Sequence, residues 1–170
     1  SEALTIILKR NNPTAAAKQV SLTELGSIKI EKEDRKKMYK TIPRSSVIGF
    51  LIGVLPGAGA TIASFLAYGM ERNLVKDEEK EKFGKGSVNG LSAPETANNA
   101  ACSGSFVPML TLGIPGSGTT AVMLGALLGF GIQPGPRLYM TNPEIFWSVI
   151  MSMYIGMVIL LILNLPLIPY

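Results

Sequence analysis

Two short stretches combine a proline, paired glycines and hydroxyl side chains within apolar, uncharged sequence. The first reads Val54-Leu55-Pro56-Gly57-Ala58-Gly59-Ala60-Thr61, and the second reads Gly113-Ile114-Pro115-Gly116-Ser117-Gly118-Thr119-Thr120. The proline, both glycines and the last threonine match. Proline removes a backbone donor and clashes with the preceding turn, and glycine adds backbone freedom, so each stretch is expected to break a helix. A broken helix leaves N–H donors on the half that starts and carbonyl acceptors on the half that ends. The starting half also carries a partial positive charge. Such a break can hold a small anion without a buried Lys or Arg, or coordinate sodium through freed carbonyls. Pro56, Gly57, Gly59, Pro115, Gly116 and Gly118 would shape the backbone. Thr61, Ser117, Thr119 and Thr120 would offer hydroxyls to either ligand. Paired Gly/Pro interruptions are a strong sequence pointer to a transporter binding site.

Other readings of the same residues are weaker. Gly and Pro also serve plain packing in membrane helices, and Gly49-x-x-x-Gly53 and Gly125-x-x-x-Gly129 fit close helix contacts. The run from Gly116 to Ala121 fits a loose dinucleotide pattern, but no acidic residue follows at the required distance, and neither break carries a P-loop Lys. Asn98 and Asn99 enter the second uncharged block, where polar groups are costly and tend to be functional. They are candidates for ion coordination or carboxylate hydrogen bonding, with interhelical bonding as the alternative. Glu95 reads as a helix cap. The chain has no His, and its lone Cys102 cannot form an internal disulfide. Without His there is no Ser-His-Asp triad and no usual zinc site, so the reading is not an enzyme and no cofactor is expected beyond a coupling cation.

These residues need elements to hold them. Of 170 residues, 47% are hydrophobic and 16% charged, below the roughly 25% charge of soluble domains. No charged residue lies between Arg44 and Glu71, between Glu95 and Arg137, or after Glu144. Each stretch reaches the roughly 20 residues that span a bilayer. The expected fold is an all-α integral membrane protein with discontinuous helices or re-entrant hairpins whose tips are the Pro-Gly-x-Gly breaks. Residues 1–44 read as a basic cytoplasmic loop with a short apolar start at residues 3–8, and residues 45–170 as part of a membrane transport domain. Ser21-Leu22-Thr23-Glu24 fits a capping box. Residues 71–90 read as a charged loop. Helix starts are expected at Ser92-Ala93-Pro94-Glu95 and at Asn142-Pro143-Glu144, and a turn at Gln133-Pro134-Gly135-Pro136. An unbroken transmembrane helix is expected over residues 145–163, closed by Asn164 and Pro166. Lysines on both sides of the first block favour a re-entrant hairpin by charge sidedness. Interspersed acidic residues, without an aromatic ladder, argue against nucleic-acid binding. No cleavable signal peptide is evident, and apolar sequence at both ends points to a piece of a longer protein.

The segments IGVLPGAGATIASFLAYGMER, APETANNAA, LTLGIPGSGTTAVMLGALL and QPGP, with SMYIGMVILLILNLPL, together resemble the large membrane subunit of tripartite tricarboxylate transporters. The resemblance runs from about residue 40 to the end and matches the C-terminal half of the family. It implies a secondary transporter of the bacterial inner membrane, multi-pass, taking up citrate-like carboxylates with sodium or protons. It also implies a small membrane subunit and a periplasmic solute-binding protein as partners. The alternative is a channel-like or scaffold membrane protein whose Gly/Pro breaks serve helix packing only.

Overall fold

The structure, a computed structural model, describes residues 30–167. The expected apolar start at residues 3–8 and the capping box at Ser21-Leu22-Thr23-Glu24 lie outside the described residues. Within them the chain is all helical, without strands: α1 Lys32–Val54, α2 Gly59–Leu74, α3 Asp77–Lys80, α4 Val88–Gly104, α5 Phe106–Leu112, α6 Gly118–Gly129, α7 Leu138–Thr141 and α8 Pro143–Leu167.

Helix α1 begins well before the apolar block, so residues 32–44 are helix where a loop was expected. Glu33 and Asp34 occupy its first turn, where carboxylates favour the helix dipole, and the Lys, Arg and Met beyond them are good helix formers. The expected loop over residues 71–90 is also partly ordered, since α2 continues to Leu74 and α3 comes directly after it. The expected start of α4 at Ser92 is one turn late. Ser87 caps this helix by accepting from the Gly90 N–H at 3.1 Å, which places Pro94 inside it. Glu95 is therefore no cap; its carbonyl accepts from the Asn99 side chain at 3.0 Å.

Helices α1, α2 and α4 form the first packed unit. Thr41, Ser45, Gly49 and Gly53 recur every four residues on α1, and Asn89, Ala93, Ala97 and Ala101 do so on α4; all eight are buried. Thr41 bonds Asn89, Gly49 lies against Ala97 and Gly53 against Ala101. The two helices therefore run parallel and in step. A Cβ on Gly49 would lie 2.6 Å from the Ala97 Cα, and one on Gly53 2.6 Å from the Ala101 Cα. Small residues let the backbones approach closely, so dispersion contacts accumulate along the pair. Helix α2 returns antiparallel and adds Ala63 and Ala67 to this core. Gly125 and Gly129 behave differently from Gly49 and Gly53: among the described residues nothing lies within 4 Å of the Cβ either would carry.

The second unit joins α5, α6, α7 and α8 around Met109, Leu110, Leu127, Leu138 and Val149. The joint between α4 and α5 at Ser105 was not anticipated. Pro108 explains it, because a proline ring clashes with the carbonyl four residues back, here that of Gly104. Helix α8 begins at Pro143 as expected and runs to Leu167. Asn164 and Pro166 thus fall in its last turn and do not close it. Among the described residues, Pro143–Leu165 is the one stretch long and apolar enough to cross a membrane as a single helix. The two earlier uncharged blocks are each divided into shorter helices by their Gly/Pro breaks.

Candidate functional site

Both Pro-Gly-x-Gly stretches interrupt helices, but by different local geometry. At the first, the Ala58 N–H donates to the Leu55 carbonyl at 3.2 Å across Pro56 and Gly57. Gly57 has φ 80° and Gly59 φ 68°. Proline followed by a left-handed glycine is the sequence of a type II turn. A side chain at either glycine would be strained by roughly 1–2 kcal/mol. No side chain caps α2, so the N–H groups of its first turn, from Gly59 on, lack partners within the helix. Thr61 is exposed in the first turn of α2.

At the second break the left-handed residue comes earlier, at Gly113 with φ 71°. The Gln133–Pro136 segment folds over this helix end: the Gly135 N–H donates to the Leu110 carbonyl at 3.2 Å, and a Cβ on Gly113 would meet the Pro134 carbonyl oxygen at 2.7 Å. Helix α6 then starts with a full capping box. The Thr120 N–H donates to the Ser117 hydroxyl at 3.3 Å, and the Ser117 N–H donates to the Thr120 hydroxyl at 2.8 Å. Thr120 is 1% exposed and its hydroxyl also donates back to the Ser117 carbonyl at 2.9 Å. Thr120 therefore shapes the helix start, while Gly118 and Thr119 remain exposed.

The fold sets the second break against the last turn of α1, the helix that leads into the first break. Gly116 is buried, and a Cβ there would lie 2.8 Å from the Ser105 Cβ and 3.2 Å from the Gly53 carbonyl oxygen. A Cβ on Gly104 would lie 2.5 Å from the Phe50 carbonyl oxygen and 3.2 Å from the Val54 nitrogen. The end of α1, the α4–α5 joint and the second break thus meet at one point, and the first break continues directly from α1. Gly116 is required for close approach, whereas Gly57 and Gly59 are required for their backbone angle. Gly118 shows neither need, since nothing lies within 4 Å of its Cβ position and its φ is not left-handed.

Thr61 and Asn98 line a shallow groove of about 370 Å³ with Ser64, Phe65, Tyr68 and Pro94. The Asn98 amide donates to the Ser64 hydroxyl at 3.4 Å, and Ser64 also reaches the Pro94 carbonyl at 3.2 Å. Asn98 precedes Gly104 by less than two turns, about 9 Å of helix rise. Asn99 is not part of this groove. It is exposed, and its amide bonds its own helix at Glu95. Another hollow of about 320 Å³ opens between α5 and α8. Its Thr111 and Ser103 hydroxyls are taken up by backbone carbonyls of their own helices at 2.6 and 3.3 Å, which leaves it apolar.

A buried polar cluster was not anticipated from the sequence. Glu71 has no exposed surface. Its Oε1 accepts from the Thr41 hydroxyl at 2.8 Å, the Arg44 guanidinium at 2.8 Å and the Asn89 amide at 3.0 Å. Three helices are pinned there at the base of the hairpin. The signal lay in Arg44 and Glu71 themselves, the charges that bound the first block: a chain that reverses at Pro56 must bring them level. Glu79 forms a second clamp outside the block. It accepts from Lys37 at 3.4 Å, Lys82 at 3.3 Å and the Ser87 hydroxyl at 3.3 Å. Burial pushes its carboxyl up, but the hydrogen bonds from Lys82 and Lys37 more than reverse this and hold it below the ordinary carboxylate range.

The comparisons with known proteins agree with the resemblance in the motifs. A family model described as the tripartite tricarboxylate transporter TctA family matches residues 1–170. An uncharacterized 52.8 kDa protein in the TAR-I ttuC' 3' region of Agrobacterium vitis is 42% identical over 159 residues, covering 94% of this chain and 31% of that protein. An uncharacterized protein in the TAR-II ttuC' 3' region of the same organism is 50% identical over 120 residues, covering 71% of this chain and 49% of the relative. The matched part of the chain thus spans 31% of the length of the first relative and 49% of the second. No solved structure matches. Matched along its whole length and interrupted at both Pro-Gly-x-Gly elements, the chain belongs to the tripartite tricarboxylate transporter TctA family.

Proposed function

We propose that this chain is the part of a transporter membrane subunit that carries one substrate and ion site, formed where its two helix breaks meet. The full-length protein takes up tricarboxylate-type, citrate-like carboxylates across the bacterial inner membrane, coupled to sodium or protons. A periplasmic binding protein delivers the substrate and a small membrane subunit completes the assembly. The observation that carries this reading is the approach of Gly116 to the Gly53 carbonyl and Ser105, which sets the second break against the last turn of α1, three residues before the matched first break.

Length and charge support a re-entrant hairpin. From Arg44 to Val54 α1 rises about 15 Å, and from Gly59 to Glu71 α2 rises about 18 Å. Each is close to half of the roughly 30 Å hydrocarbon core. With Arg44 and Glu71 joined at 2.8 Å at the base, the Pro56 turn would sit near the midplane. Broken backbone at that depth is tolerated where it lines a wet cavity or is buried in protein. Uncapped N–H groups at the start of α2, the exposed Gly118–Thr119 start of α6, and Thr61 with Asn98 would supply donors to carboxylate oxygens. The Gly53 carbonyl lies on the side suited to a cation. Packing alone accounts for Gly49, Gly53, Gly104 and Gly116, but not for the left-handed Gly57 and Gly59, which meet nothing within 4 Å.

The test is uptake of labelled citrate by the full-length protein with its partner subunits. Thr61→Val and Asn98→Leu are expected to raise KM at least tenfold, while Asn99→Leu leaves it within about twofold; one hydrogen bond to a charged carboxylate is worth about 1.5–3 kcal/mol, and about 1.4 kcal/mol is tenfold. Equal KM values for all three variants and the parent would remove the groove from the site.

A further inference from the structure

The outer half of α1 carries a charge pattern that transport does not use. Lys32, Arg35, Lys36, Tyr39 and Lys40 recur at helical spacing and line one shallow surface together, as residues separated by three, four and seven positions must. Among the described residues none of these four cations forms an ion pair. The fifth cation of this segment is different. Lys37 points to the other side, within 3.4 to 4.0 Å of Glu79, Glu33 and Asp34. Glu31 and Glu33 stand only at the outer margins of the basic face.

The inward continuation of the same face indicates what covers it. Tyr39 is 81% exposed, and one and two turns further on come the exposed Pro43 and Val47, then Leu51. Read outward to inward, the face runs from cations, through an amphipathic ring, to aliphatic side chains. That is the polarity profile of headgroup, interface and hydrocarbon. Lys36 and Lys40 fall within about 12 Å of Arg44 along the helix, at the level of a headgroup layer above a block that enters the membrane at residue 45. Lys32 and Arg35 stand further out, about 14 to 18 Å from Arg44 along the helix, close to two Debye lengths at physiological salt.

We infer that this face of α1 is a docking surface for anionic phospholipid headgroups, with Lys36 and Lys40 on the phosphate and Tyr39 at the interface. The inference rests on the membrane placement of the block after Arg44, not on the transport site. The anionic lipid would fix the depth of α1 and hence the height at which the hairpin turns at Pro56.

Full-length protein in nanodiscs tests this. The discs contain either phosphatidylcholine alone or phosphatidylcholine with one-third phosphatidylglycerol. Acetylation rates of individual lysines are read by mass spectrometry, and retained phosphatidylglycerol by lipid analysis after detergent exchange. Phosphatidylglycerol is expected to slow acetylation of Lys36 and Lys40 several-fold while Lys37 changes little, and inorganic phosphate at matched charge should not reproduce the effect. Near a membrane each cation is worth about 1 kcal/mol, roughly fivefold in affinity. Lys36→Gln with Lys40→Gln should therefore lower phosphatidylglycerol retention roughly 25-fold, about fivefold per cation, whereas Lys37→Gln, one charge removed from the other face, should lower it by well under fivefold. Equal labelling of Lys36 and Lys40 in the two lipid mixtures would overturn the inference. So would equal losses from the two variants, or protection by free phosphate alone.

Discussion

Replacing Glu71 by Ala tests the hairpin base at its most sensitive point. Three donors converge on one buried oxygen, Oε1, at 2.8, 2.8 and 3.0 Å. Two come from neutral donors, Thr41 and Asn89, and with a carboxylate acceptor each contributes about 1.5 kcal/mol net. The third, from Arg44, is charge-assisted, but its side chain is partly exposed and can turn to water, so its share is held to about 1 kcal/mol. Part of the loss is recovered locally. The Asn89 amide still reaches the Thr41 hydroxyl at 2.8 Å, and that hydroxyl has the Lys37 carbonyl at 3.2 Å. Glu71→Ala is thus expected to destabilise the α1–α2–α4 unit by about 2–3 kcal/mol. Glu71→Gln keeps one acceptor oxygen for Thr41 and Asn89 and loses chiefly the charge, for about 1 kcal/mol. The assay is thermal unfolding of the full-length protein in one detergent, with the lag in midpoint compared across both variants and Arg44→Gln. The double variant Arg44→Gln/Glu71→Gln should lose less than the sum of its parts. If Glu71→Gln is as damaging as Glu71→Ala, or if Glu71→Ala is neutral, the three-donor account is wrong.

The same geometry sets further outcomes. Single cysteines replacing Lys40 and Lys76 should label from the same face of the membrane, because α1 and α2 reverse at Pro56; labelling from opposite faces excludes the hairpin. Glu79 is held below the ordinary carboxylate range, so the stability it adds is present above its unfolded value and lost as pH falls through its folded value. Hydrogen exchange over residues 77–87, corrected for intrinsic rates, should therefore accelerate below about pH 4 in the parent, while Glu79→Gln shows the faster exchange already at pH 7. A pH-independent parent profile would contradict the clamp. Ser117→Ala removes the cap of α6 and should cost about 1 kcal/mol, visible as faster exchange in residues 118–121 with α8 unaffected.

Much of this arrangement is legible from residue types. Pro56-Gly57 and Pro115 mark the breaks because proline and a left-handed glycine act on the local backbone, wherever the rest of the chain lies. The start of α8 is legible for the same reason, from Asn142 and Pro143. Other features depend on what lies opposite. Gly49-x-x-x-Gly53 and Gly125-x-x-x-Gly129 look alike in sequence, yet only the first meets a partner among the described residues, the small face of α4. Ser87 and Ser92 are both plausible caps, and the one that bonds Gly90 wins the helix start. The four-residue repeat of Thr41, Ser45, Gly49 and Gly53 crosses the boundary between charged and uncharged sequence. Dividing the chain at Arg44 hid both the length of α1 and the pairing of Arg44 with Glu71. The matched breaks also proved unequal: glycine serves backbone angle at Gly57 and Gly59 but close approach at Gly116, a difference that a pattern of letters does not carry.

The central claim is that the two breaks form one carboxylate and cation site. Citrate uptake and its cation dependence, measured on the full-length protein with Gly57→Ala, Gly116→Ala and Gly118→Ala, tests it most directly. Gly57→Ala strains a left-handed turn by roughly 1–2 kcal/mol, and Gly116→Ala drives a methyl group into Ser105 and the Gly53 carbonyl. Both should cut uptake at least tenfold and shift the cation dependence, with the protein still folded and membrane-inserted. Gly118→Ala, with open space at its Cβ position, should leave the fold unchanged and act only through the ligand's approach to the α6 start. Unchanged uptake and unchanged cation dependence in Gly57→Ala and Gly116→Ala would contradict the claim and leave the breaks as packing devices.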